Sequence, residues 1–72
     1  MTKLNKIKKE LEENNIKYYD IGETQSPAGH KYIDILYVSF DKENIEKLKN
    51  AFKEYPLNWI KPNILSIPKK AI

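Results

Sequence analysis

The chain has 72 residues, with thirteen lysines and no arginine against ten carboxylates, a net charge of +3, one histidine and no cysteine. That length holds a single domain spanning residues 1–72; without thiols there is no disulfide or cysteine metal site, and one histidine argues against a zinc centre, so no cofactor is expected. No apolar run nears the length of a membrane span, and MTKLNKIKKELEENN lacks the apolar centre of a signal peptide, so the chain reads as soluble and cytoplasmic.

Residues 2–15, TKLNKIKKELEENN, predict a helix. Thr2 is placed to cap it, Leu4, Ile7 and Leu11 form its apolar stripe, and Asn14-Asn15 supplies the stop. IKYYDI (16–21) predicts a strand, residues 22–30 a loop, and KYIDILYVSF (31–40) a second strand. Asp41 is the cap of a second helix, whose stripe is Ile45, Leu48, Phe52 and Tyr55 and whose end is marked by Pro56. LNWI and ILSI, joined by Lys61-Pro62-Asn63, read as a closing hairpin, with residues 68–72 a frayed tail. The expected fold is α+β: one two-layer domain, α-β-β-α-β-β, with a four-stranded, mainly antiparallel sheet and both helices on one face. The halves overlay at an offset of 41, which pairs Ile7 with Leu48, Leu11 with Phe52, Tyr18 with Trp59 and Tyr19 with Ile60. This pattern suits an internal pseudo-twofold repeat, and equally any two amphipathic helix-strand units.

Alternate strand residues point to opposite faces, and here both sets are apolar. Leu36, Val38 and Phe40 oppose Ile33, Ile35 and Tyr37, while Ile16 and Tyr18 oppose Tyr19 and Ile21. Two helices cover one face, so the other is expected to be an interface built from Tyr19, Ile21, Ile35, Tyr37 and Ile60. The competing arrangements are a bulged or twisted sheet that hides both sets, and helices on opposite faces.

The 22–30 loop holds both glycines and the histidine, and its candidate functional residues are Glu23, Gln25, Pro27, His30 and the adjoining Lys31. Six residues separate Gly22 from Gly29 and a strand follows, which excludes a Walker A phosphate loop. A catalytic reading assigns acid-base work to His30, oriented by Asp20, Glu23 or Asp34. GHKYIDILYV, following a helix and a strand, resembles the single-histidine ribonuclease toxins of the HicA family through Gly29, His30 and Tyr32. The resemblance implies RNA cleavage by His30; it departs where that family closes with a helix, since two further strands follow here.

The positive charge admits nucleic acid, with lysines enriched at both ends of the chain and Tyr19, Tyr37 and Trp59 available for stacking. The lack of arginine argues against specific DNA readout. Taken together, the expectation is a small non-enzymatic binding module that meets a protein partner or a second copy through the open sheet face, a sheet edge or the loop. Nucleic-acid binding and His30-dependent ribonuclease activity are the alternatives. In size and lysine-rich composition the chain resembles phage or mobile-element accessory proteins, including inhibitors of host enzymes.

Overall fold

The computed structural model describes residues 2–72. Its elements run α1 (Lys3–Glu13), β1 (Tyr18–Gln25), β2 (Lys31–Tyr37), α2 (Lys42–Ala51), β3 (Asn58–Lys61) and β4 (Ile64–Pro68), followed by a 3-10 turn at Lys69–Ala71. Each helix begins where a short polar side chain satisfies an N–H that the first turn leaves free. Thr2 Oγ1 accepts from Asn5 N–H, and Asp41 Oδ1 from Asn44 N–H, both at 3.1 Å. Just past the C-cap Asn14 of α1 stands Asn15, whose φ of 55° is left-handed. Asn15 N–H donates to the Glu12 carbonyl and Ile16 N–H to that of Leu11, the paired bonds of a Schellman cap. Leu11 and Ile16, brought together by that cap, are both buried. α2 stops at Ala51, five residues before Pro56, with Phe52 as its C-cap.

The strands form one sheet in the order β1-β2-β4-β3, with every neighbouring pair antiparallel. Ile7 and Leu11 of α1, with Leu48 and Phe52 from α2 and its cap, pack onto Ile33, Ile35, Tyr37, Leu65 and Ile67. This is the two-layer α+β fold expected. Among the described residues Asn44 is the one buried amide: it donates to the Lys17 carbonyl at 2.9 Å and accepts from the Lys17 N–H, clipping α2 to the connection between α1 and β1.

The expectation of two apolar faces fails for two physical reasons. First, β2 ends at Tyr37, so Val38 and Phe40 are not strand residues; the outward set is Tyr32, Asp34 and Leu36. Second, each edge strand carries a bulge. One lies between Tyr18 and Asp20, and the other between Trp59 and Lys61. An added residue switches the alternation, so that Tyr18 and Ile21 both face the helices, opposite Tyr37 and Ile35. Ile35 and Tyr37, expected on an open interface, are therefore core residues, 0% and 2% exposed. Ile21 packs against that core, and only Tyr19 and Ile60 of the five interface candidates are exposed. Those two bulge residues are the pair that the 41-residue overlay superposes. The outer face carries a polar row instead: Gly22, Asp34, Ser66 and Asn58 lie side by side, with Ser66 Oγ donating to Asp34 Oδ1 at 2.6 Å.

The loop and tail also differ from expectation. Residues 22–25 belong to β1, and the ladder continues through Ser26 N–H donating to the His30 carbonyl at 2.8 Å. What remains is a tight turn of Pro27, Ala28 and Gly29, in which Gly29 takes a φ of 88° that a side chain would strain. Gly22 has no such angle and sits in an ordinary strand. The tail expected to fray is instead tied down: Pro68 pairs with Tyr32 in the sheet, and Ile72 packs against the core.

Candidate functional site

The antiparallel register decides which distant residues meet. The β1–β2 turn places His30 and Lys31 at one end of the sheet, and the pairing of Tyr32 with Pro68 brings the end of β4 beside them. The 3-10 turn that follows adds Lys69 and Lys70. Lys3, the first residue of α1, closes the ring by donating from Nζ to the Lys69 carbonyl at 2.9 Å. Lys3, His30, Lys31, Tyr32, Lys69 and Lys70 line a concavity of about 500 Å³ at this end.

This pocket is strongly basic. Glu23 pairs with Lys69 at 2.9 Å. Taking Lys3, Lys31, Lys69 and Lys70 less Glu23 leaves three positive charges, equal to the net +3 of the chain. The other nine lysines are matched in number by nine carboxylates, and several form pairs, among them Lys9–Glu13 at 3.8 Å, Lys17–Asp41 at 3.4 Å and Lys47–Glu43 at 3.9 Å. The first turn of α1 contains no acidic residue, so its positive dipole end adds to the field at Lys3. Like charges gathered in a concavity focus the potential there and favour an anion.

Of the loop candidates, His30 and Lys31 line this pocket, Glu23 pairs at its rim, Gln25 lies opposite Lys31 and Pro27 forms the turn. Asp20 and Asp34 do not orient His30. Asp20 lies opposite Leu36 and Asp34 opposite Gly22, and both carboxylates line a separate hollow of about 220 Å³ with Leu36 and Ile64. Their oxygens are engaged there, Asp20 Oδ1 by the Ile21 N–H at 2.9 Å and Asp34 by Ser66. Among the described residues no three His, Asp or Glu side chains converge as a metal site would require.

A second hollow of about 500 Å³ lies along β3, between Ile45 and Lys49 of α2 and Trp59, Ile60 and Pro62. Trp59 meets the Tyr37 ring edge-on at 5.9 Å yet remains 41% exposed, and Ile60 is 58% exposed. Phe40, in the turn before α2, is more exposed still.

Asn58 was not singled out from sequence, and Lys3 and Tyr32 entered only as one of the N-terminal lysines and as part of the GHKY match. The available signal was the register itself: once the start of β2 pairs with the end of β4, Lys31 and the Lys69-Lys70 step must be neighbours. Among the described residues no helix is long and apolar enough to cross a membrane. No family model, curated protein or solved structure matches the chain.

Proposed function

We propose that the chain is a non-enzymatic binding module of the cytoplasm whose basic pocket takes the phosphates of a nucleic acid. One observation carries this reading: four lysines, Lys3, Lys31, Lys69 and Lys70, line one concavity together with His30, assembled from α1, the β1–β2 turn and the end of β4. Lysine contacts of this kind hold phosphate without reading sequence, in keeping with a chain that has no arginine. The separation of His30 from Asp20 and Asp34, and the pairing of Glu23 with Lys69, favour binding over ribonuclease chemistry.

Anisotropy of a labelled oligonucleotide at rising salt tests the reading. Log affinity is expected to fall linearly with log salt, with a slope of about −0.7 for each single-strand phosphate neutralised. The double variant Lys31→Glu/Lys70→Glu is expected to bind about ten-fold more weakly or worse, with a shallower slope. Absence of binding at low salt, or a double variant as tight as the wild type, would remove the proposal.

The exposed Trp59–Ile60 step favours a second reading, a protein partner or a second copy. The hollow beside it has an apolar floor and two lysines, Lys49 and Lys61, which suit an acidic surface. Inhibition of a host enzyme is one use of such a contact. Sedimentation of the wild type against Ile60→Asp distinguishes the second copy, which requires a dimer that the variant loses.

A further inference from the structure

We infer that the nucleic acid is single-stranded and that it lays one base against Tyr32; this rests on the phosphate-binding reading of the basic pocket. Tyr32 lines two concavities at once. One is the basic pocket, and the other is a hollow of about 470 Å³ on the helix-free face, walled by Thr24, Gln25, Ser26, Asn58 and Ser66. Asn58 also borders both, so the two spaces adjoin along the Tyr32 side chain.

The chemistry of the two spaces differs as the parts of a nucleotide do. The first is cationic. The second contains no ionisable side chain besides the tyrosine; its wall is amide and hydroxyl, with Ile60 at the margin. Asn58, in the outer row beside Ser66, offers a donor and an acceptor from one planar amide, the equipment for hydrogen bonds to a base edge. Tyr32 is half-buried on the outer face, with Pro68 beside it in the sheet. A ring so placed offers a flat surface for a base, and stacking of this kind tolerates any sequence.

Two features select a single strand. Base faces are free for stacking only where the strand is unpaired. The four lysines of the basic pocket also lie at one end of the sheet, and Asp20 and Asp34 line the hollow further along the same face. Those carboxylates repel a phosphate backbone that would continue across the sheet. The footprint is therefore short, a strand terminus or an unpaired loop whose backbone leaves past Lys31 and Lys70.

The experiment compares four probes of equal length on the full chain: a single-stranded oligonucleotide, its abasic counterpart, inorganic polyphosphate and a duplex. Each is titrated against the wild type, Tyr32→Ala and Tyr32→Phe, with circular dichroism confirming that each variant is folded. The single strand is expected to bind about ten-fold more tightly than the abasic strand, polyphosphate or duplex, a ratio abolished in Tyr32→Ala and kept in Tyr32→Phe, whose ring still stacks. If Tyr32→Ala does not fold, the ratio between probes for the wild type and Tyr32→Phe still decides. Equal binding of the four probes would overturn the inference while leaving the phosphate reading intact. Failure of all four to bind would remove both.

Discussion

The two ends of the sheet are built on opposite principles. At the end where β2 finishes, polar groups withdrawn from water have partners. The Tyr37 hydroxyl donates to the Pro62 carbonyl, Tyr37 N–H donates to the Asn63 carbonyl at 3.0 Å, and Asn44 satisfies both backbone groups of Lys17. Burial pushes the Tyr37 phenol up from its ordinary value, which keeps it a neutral donor. At the turn end, four lysines face one another with a single carboxylate among them. The first arrangement stabilises the fold. The second opposes it by charge repulsion, and a local conflict of that sort is where binding is to be sought.

The contrast is broken most severely at Tyr37. Replacement by alanine removes a buried ring, its edge-on contact with Trp59 and its bond to Pro62. The expected loss is about 3–5 kcal/mol, which is as much as a core of this size supplies, so Tyr37→Ala should be unfolded at room temperature by circular dichroism. Asn44→Ala is next. It leaves the Lys17 N–H and carbonyl without their partner, and an expected loss of about 1–3 kcal/mol should appear as a lowered urea midpoint. The same measurement at the other end should give the opposite result. Lys31→Glu/Lys70→Glu should leave the midpoint unchanged or slightly raised, within about 0.5 kcal/mol, while phosphate binding is lost. A double variant that unfolds would show that the basic end is structural after all.

The smallest effect is that of pH on Asp41. Its carboxyl lies below its ordinary value, chiefly because it accepts the Asn44 N–H and secondarily through Lys17. A group held low in the folded state contributes its full stability above the unfolded value, near 3.8, and loses it as pH falls through the lower folded value. Acid titration of the urea midpoint should therefore show a component that Asp41→Asn lacks.

Much of the fold was legible because local chemistry specified it. Thr2, Asn15 and Asp41 each do at a helix end what their side chains or backbone tolerance allow, and the apolar spacing of Ile7, Leu11 and Leu48 predicted the buried faces. The facing of the strands was not legible. KYIDILYVSF alternates two apolar sets, and nothing local says that the strand stops at Tyr37 or that β1 carries an extra residue at Tyr19. The turn is shorter than the sequence predicts because Gly22 and Glu23, weak strand formers, are held in β1 by pairing with β2. The basic pocket was hidden for a related reason: its lysines are dispersed in the chain and converge only through non-local pairing.

The irregularities of the two outer strands have a consequence for how the molecule tolerates crowding. Strand margins invite foreign chains to add on, the route to cross-β aggregates. Here β1 is bent at Tyr19, and the Asp20 carboxylate occupies the Ile21 N–H next to it. β3 is only four residues long, is bent at Ile60 and runs into Pro62. β3 therefore offers no straight row of vacant donors and acceptors, whereas β1 keeps an unbroken margin from Asp20 to Gln25, and that is the side on which a foreign strand would add.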